Sequence, residues 1–512
     1  MILQERVKLL LFVLLSISLN SFSTNTKFYN ISDTYGITSG EAFSICKDQY
    51  GFIWTSTKTG ILRVTEGDCR NYELPCRTTD FVFVKLTYSN SQLFSYTNNG
   101  QIFHYDEPTD QFFFLTDLRE ETDNSHITIG TIVADTSNVL WIASSIGLFK
   151  YENNILTKIP QTEEDIKHLT FYDDNHLFYI TSAGISLLNI STSESRLLYS
   201  NTTEDFFQVP SLYYDDQLKR LWIGTGSAGL FYYDIIRKSL SDIPIRNFPK
   251  QPILAIRKDA KNTLLIGIDG QGIWNISEKG DTILHIYKED LNNPFSLRGD
   301  GVYDILCDGS KNWIATFTGK LSFFENNNSQ ITPVTYQINN PNSLGNNYVN
   351  QIIEDHEGHI WFATNNGVSR WDAASNKWKH YYQNKSEQAK VFLSLCEDNQ
   401  GHIWAGSYSS GIYLLDRETG KTLKHYSSKT NTPGFTGDFI FDFFVDKEGD
   451  VWIGGNQKLS CYLIKEDRFR EYPVQPVSAF AELSPGKLLL TTSRGLLLLD
   501  KNQGTVETLV EG

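Results

Sequence analysis

The sequence predicts an all-β chain of β-propeller blades, each made of four antiparallel strands. One seven-bladed propeller is followed by an incomplete second propeller of about four blades. Three observations predict this. The phrase "HIWFATNNGVSRWD" (359–372) returns 43 residues later as "HIWAGSYSSGIYLLD" (402–416). Short runs rich in Ile, Val, Trp, Tyr and Phe alternate with Asp, Asn and Gly turns, the pattern of hairpin-connected strands. Aromatic residues reach 13% of the 512, a level that favours strands over helices.

The chain begins with "MILQERVKLLLFVLLSISLNSFS" (1–23), in which Arg6 and Lys8 precede an apolar run from Leu9 to Leu19 and small polar residues follow. This is the layout of a cleavable export signal, with cleavage expected near Ser23. The run is too short for the roughly 20 apolar residues that span a bilayer. No other segment is long and apolar enough to cross, and a periplasmic location is expected. The remainder divides at 24–330 and 331–512 into a first and a partial second propeller. Hydrophobic residues make up 40% and charged residues 21%, an ordinary globular balance. The formal charge of −15 lacks the cationic face that phosphates require, so no nucleic-acid partner is expected.

Among the six cysteines, Cys69 and Cys76 lie close together in "DCRNYELPC" and could pair. Cys46, Cys307 and Cys396 occupy equivalent places in different repeats, just before Asp48, Asp308 and Asp398, and are expected to be buried strand thiols.

The repeat is anchored on Trp54, Trp141, Trp222, Trp313, Trp361, Trp404 and Trp452, with the last three spacings 48, 43 and 48 residues. The first three, 87, 81 and 91, are close to double. Each hides a unit without Trp at the anchor position: "QLFSYTNNGQIFHYD" with Phe94, "HLFYITSAGISLLN" with Phe178, and "TLLIGIDGQGIWNI" with Leu265. An eleventh unit, "KLLLTTSRGLLLLD" with Leu489, closes the series. Four strands in about 43 residues is one propeller blade, and the second-strand Trp is expected to fill the space between neighbouring sheets. "KFYNIS" (27–32) is expected to pair with the three strands of the seventh unit (302–324) and close the first ring. "ITPVTYQ" (331–337) is expected to play the same part in the second, which receives only four units and does not close.

Two motifs resemble chemistry that the repeat explains better. "GTGSAG" (224–229) fits the dinucleotide fingerprint, but "LFYYD" follows it where a helix is needed. "DHEGH" places His356 and His359 in a strand-to-strand turn rather than on the helix of a zinc protease. The acidic turns "DHEG", "DNQG" and "DKEGD" lack the alternating ligands of a calcium loop, and each Asp is expected to cap its own turn. No catalytic residue, metal or cofactor is nominated. The loops joining blade to blade, and second strand to third, gather on one face. They carry Lys58, Asp269, Gln271, Arg298, Asp300, Asn346, Asn347, Tyr348, Asn365, Tyr408 and Asp438. Aromatic plates with Asn, Asp and Arg suit a sugar ligand, so this face is the candidate binding surface.

"GFIWTSTKTGILRV", "VLWIASSIGLFKYE", "RLWIGTGSAGLFYYD", "HIWFATNNGVSRWD" and "DVWIGG", with the lead-ins "NNPFSLRGDGVYDILCD" (292–308) and "NNPNSLGNNYVNQIIED" (339–355), resemble the two-component regulator propeller repeat. The resemblance runs over residues 27–500. That family is known from hybrid two-component sensors of Bacteroides-type bacteria, in which periplasmic propellers precede a membrane helix and a histidine kinase. The resemblance implies a sensing region with an oligosaccharide ligand and a possible homodimer, joined to the membrane only through downstream segments not present in this chain. No kinase motif occurs here, so no enzyme activity is expected of it. A free-standing secreted propeller binding a glycan or protein, and a propeller polysaccharide lyase or hydrolase, are the alternative readings.

Overall fold

The fold is taken from a computed structural model. It describes residues 26–31, 41–58, 60–65, 68–160, 162, 164–201, 208–326, 333–383, 389–430, 432–435, 437–474 and 476–511. The export signal expected over 1–23 lies outside them. No helix among the described residues is long and apolar enough to cross a membrane.

The described strands form eleven four-stranded antiparallel sheets, and in ten of them the strands pair in chain order. The exception is the seventh, where Phe28–Asn30 joins the outer edge of the strands between 302 and 325. Phe28 pairs with Phe324 in that edge and packs its ring 5.0 Å from it. The N-terminal strand therefore closes the ring as the sequence predicts.

The chain forms two compact units, one mainly of residues up to 331 and one mainly from 332 onward. In the first, the sheets are blades 1 to 7, spanning 44–72, 84–117, 129–158, 168–200, 211–242, 253–287 and 302–325. Their first strands pack in sequence around a centre, and that of blade 7 packs against that of blade 1. The closing contact is reinforced where the Ile45 amide donates to Asp304 Oδ2 at 2.9 Å. The second unit holds blades 8 to 11, spanning 349–381, 392–426, 440–472 and 477–511. Their first strands also pack in order, but among the described residues the fourth does not return to pack on the first as in the closed ring. Residues 333–337, expected as a stray outer strand, form none. All four sheets of this unit already hold four strands of their own, so no edge is left short for it.

The period has a direct physical cause. Trp54, Trp141, Trp222, Trp361, Trp404 and Trp452 are fully buried, each in an apolar cluster shared with the following blade. Trp404, for example, packs with Ile440, Phe443 and Val451 of blade 10. Phe94, Phe178 and Leu265, at the equivalent second-strand position of blades 2, 4 and 6, do the same. Each Trp removes roughly 200 Å² from water, about 5 kcal/mol of gross transfer free energy, so these contacts dominate blade-to-blade adhesion.

The residue two positions after each Trp must stay small. It is Ser56, Ala143, Gly224, Ala315, Ala363, Gly406 and Gly454. A Cβ on Gly406 would lie 2.6 Å from Ile440 Cγ2 of the next blade, and one on Gly224 would lie 2.7 Å from Ile253 Cγ2. The recurring Trp-Ile-Gly phrase is thus a bulky filler followed by the gap that lets the next inner strand approach. Gly406→Val is expected to lower stability by about 2–3 kcal/mol through overpacking, measured as a shift of the urea midpoint. Ala363→Gly should cost about 1 kcal/mol or less.

Three cysteine positions fall in three different inter-blade clusters, Cys46 between blades 1 and 2, Cys307 between 6 and 7, and Cys396 between 9 and 10. Burial pushes the Cys307 thiol up to about 12 and raises the other two well above the ordinary value, so all three stay protonated. Cys69 and Cys76 are free thiols. They pack on opposite faces of blade 1, Cys69 against the blade 7 side and Cys76 against the blade 2 side.

Candidate functional site

The antiparallel order puts every second-to-third-strand turn at the same end of the blades as the lead-in to the next blade. Backbone hydrogen bonds tie the two together: Gly272 N–H donates to Asp300 O, Gly367 N–H to Lys390 O and Gly411 N–H to Asp438 O. Gly367 shows why these turns end in glycine. Its φ is +86°, and a Cβ there would sit 2.2 Å from Tyr381 O.

The candidate residues take different parts on the loop face of each unit. In the first unit, Asp269, Gln271 and Asp300 come together where blades 6 and 7 meet. Gln271 Oε1 accepts from Lys288 Nζ at 2.9 Å, Asp300 Oδ1 accepts from the Glu289 amide at 2.8 Å, and Asp269 borders Gly301. Arg298 is exposed beside them, its carbonyl accepting from Thr316 Oγ1. Lys58 is exposed in the blade 1 turn. In the second unit, Asn346 Oδ1 accepts from the Tyr348 amide and Asn347 Oδ1 from the Tyr336 amide. Asn365 Oδ1 accepts from Asn350 Nδ2. Asp438 accepts from the Ser428 amide and hydroxyl. These acceptors fix loops. Tyr348 and Tyr408 instead project, 73% and 51% exposed, and Tyr408 carries Phe439 against its ring at 4.1 Å.

The first ring also encloses a feature that turn polarity did not reveal. A channel cavity of about 360 Å³ is lined by the first strands of all seven blades, including Lys85, His168, Arg257 and Asp304. It opens at the loop face into a mouth of about 560 Å³ that Lys85 and His168 share with Asn98, Lys167 and Gln208. The signal was present in the sequence as charged or imidazole side chains inside strand runs, in "VKLTY", "HLTFYD", "ILAIRK" and "VYDILCD". A third cavity, of about 510 Å³, lies between blades 1 and 2 at the opposite rim, among Tyr50, Phe52, Tyr88, Tyr105 and Glu107.

His168 Nδ1 lies 3.0 Å from Leu169 O, so Nδ1 carries the proton and Nε2 is left as an acceptor. Burial first, then the nearby Lys85 charge, hold the imidazole neutral down to about pH 3. The sign of the consequence is fixed. The unfolded chain takes up this proton near its ordinary value of about 6.5 and the native state does not. Stability is therefore expected to fall by about 1–2 kcal/mol between pH 7 and 5 from this group alone. In His168→Gln, urea titrations should show that part of the slope missing.

His356 and His359, in the turn that resembled a metal motif, are engaged in side-chain contacts. His359 lies 3.1 Å from Asp355 and 2.7 Å from Arg370, while His356 meets Glu397 and Arg417. Asp446, Glu448 and Asp450 bring three carboxylates within 4.8 Å of one another, but Lys501 Nζ already sits among them at 2.6–2.7 Å.

Comparison with known proteins bears on the repeats. Residues 343–366, 386–409 and 434–457 match the sequence profile of a family described as "Two component regulator propeller". No curated protein matches the chain. Similar solved structures include an extracellular domain assigned to a hybrid two component system of B. thetaiotaomicron, at 16% identity, covering 94% of this chain and 78% of that one with a TM-score of 0.49. A second such domain from the same organism has 18% identity, 95% and 73% coverage and a TM-score of 0.48. Virginiamycin B lyase from Staphylococcus aureus matches at 13% identity over 59% of this chain and 99% of that one, with a TM-score of 0.47. The three matched segments cover the lead-in, Asp turn and Trp strand of blades 8, 9 and 10, so these blades carry the two component regulator propeller repeat.

Proposed function

We propose that this chain is the ligand-sensing region of a two-component regulator, exported to the periplasm, and that it recognises an oligosaccharide. The observation that carries the reading is the match of three successive blades to the regulator repeat. The exposed Tyr348 and Tyr408 on the loop face supply apolar plates for the C–H faces of a sugar. Asn365 of the same unit supplies polar groups for its hydroxyls, and Asp269, Gln271 and Arg298 offer a separate polar set on the loop face of the first unit. Such a region signals only if the ligand binds two arrangements with different affinity, the kinase state being set by modules beyond this chain.

The test is calorimetry of the exported chain against a panel of oligosaccharides, followed by chromatography of the recovered sugar. The expected result is binding of a restricted set, returned intact, and weakened about tenfold or more by Tyr348→Ala or Tyr408→Ala. New reducing ends or unsaturated products would replace the sensor reading with a lyase or hydrolase. No binding across the panel would remove the oligosaccharide.

A further inference from the structure

Lys85 stands apart from the other buried or half-buried lysines. Lys258 meets Asp215 and Glu278, Lys501 meets three carboxylates, and Lys167 meets Asp165. Lys85 lies on the first strand of blade 2, lines both the channel and its mouth, and makes no hydrogen bond or ion pair among the described residues. Its one close partner is the Phe83 ring, 5.1 Å from Nζ.

Asp304 is the carboxylate facing it across the channel, and its oxygens are already committed. Oδ1 accepts from Arg257 Nη2 at 3.1 Å and from the Ile305 amide at 2.9 Å, and Oδ2 accepts from the Ile45 amide at 2.9 Å. The charged groups of the channel are therefore two cations, Lys85 and Arg257, against one anion. Burial pulls the Lys85 ammonium below its ordinary value; the Asp304 charge opposes this without cancelling it, and the Arg257 charge adds to it. One negative charge would balance the channel. A dianion would overshoot it in a confined space where charge imbalance is costly.

His168 sets the second requirement. Its Nδ1 proton is used by Leu169 O, so Nε2 presents a lone pair and accepts from a hydroxyl. The cavity of about 360 Å³, with its mouth, has the volume of one sugar-sized molecule.

We propose that the channel of the first ring is a binding site for a small monoanionic hydroxycarboxylate of monosaccharide size, with Lys85 as its counter-ion and His168 Nε2 as a hydroxyl acceptor. This site is separate from the oligosaccharide surface and stands or falls independently of it.

The experiment uses the full chain in a low-chloride buffer, with D-glucuronate, D-glucose, acetate and chloride as calorimetric probes. Glucuronate is expected to bind, acetate about tenfold more weakly for want of hydroxyls, and glucose not measurably. Lys85→Met should weaken glucuronate at least tenfold while melting no lower than the wild type, because it removes an uncompensated charge. His168→Phe should weaken it by about three- to tenfold and leave acetate unchanged. Amine acylation of the wild-type protein, read by peptide mass spectrometry, gives a second measurement that needs no variant. Glucuronate should protect Lys85, and glucose should not. Equal binding of glucose and glucuronate, equal binding of chloride and glucuronate, no binding of any anion, or no protection of Lys85 would each overturn the proposal.

Discussion

Lys501→Ala is expected to destabilise the second unit by about 3–5 kcal/mol and to make its stability depend on calcium. In the native chain Lys501 is only 6% exposed, and its ammonium lies 2.6 Å from Asp446, 2.7 Å from Glu448 and 2.7 Å from Asp450. Asp446 and Asp450 are themselves 5% and 8% exposed. Removing the cation leaves two buried carboxylates and a third nearby with no positive charge among them. Their oxygens lie within 4.8 Å of one another, a spacing one divalent cation can bridge. Millimolar calcium should therefore restore part of the lost stability in the variant and none in the wild type, where the ammonium holds the place. The pH dependence has a definite sign. Although burial raises Asp446, the Lys501 and Trp452 hydrogen bonds outweigh it and hold the carboxyl below the usual range. That stabilisation is present above about pH 4 and is lost as pH falls through the lowered native value. In Lys501→Ala the carboxylates repel instead, so protonation relieves strain and the gap between variant and wild type narrows toward pH 4.5. Thermal melts with and without calcium check both. A variant indifferent to calcium, or a wild type stabilised by it, would refute this account.

Most of the blade architecture was legible because it rests on apolar burial that repeats. Trp404 and Trp452 occupy the same pocket in successive blades, and a period in sequence is what such pockets leave behind. The pairing of Phe28–Asn30 was legible because blade 7 supplies only three strands of its own. Residues 333–337 carry the same composition without a short sheet to complete, and composition alone does not distinguish the two cases. The binding face was legible only as a face. Turn residues are polar whether they hold a loop, as Asn347 and Asp438 do, or project from it, as Tyr348 does, and the difference lies in which backbone amides point at them. The channel was missed for the opposite reason. Lys85, His168, Arg257 and Asp304 interrupt strands that otherwise read as core, and only ring closure brings these four blades around one cavity.

Asp398→Ala should cost about 3 kcal/mol, whereas Asp308→Ala, at the same place in its repeat, should cost less than about 1 kcal/mol. The contrast comes from spacing. Asp48, Asp135, Asp355, Asp398 and Asp446 each stand six residues before a Trp, and in all five the indole Nε1–H donates to the carboxylate at 2.7–3.1 Å. Asp398 Oδ1 also accepts from the Gln400 and His402 amides, both at 2.9 Å. One carboxylate thus closes the turn and anchors the tryptophan that binds the next blade. Asp308 precedes Trp313 by five residues and Asp215 precedes Trp222 by seven, and the indole nitrogens of both tryptophans are buried without a hydrogen-bond partner. Released from that bond, these two carboxylates meet lysines of the following blade, Lys47 and Lys258. Alanine at 398 strands a buried indole N–H, while alanine at 308 removes a half-exposed ion pair and leaves Trp313 as it was. A double-mutant cycle with Trp404→Phe isolates the indole bond. Asp398→Ala should cost about 1–2 kcal/mol less once the N–H is gone, whereas Trp313→Phe should not change the cost of Asp308→Ala. Equal losses at 398 and 308, or no coupling to Trp404, would mean that the aspartate serves the turn alone and that the six-residue spacing carries no energy.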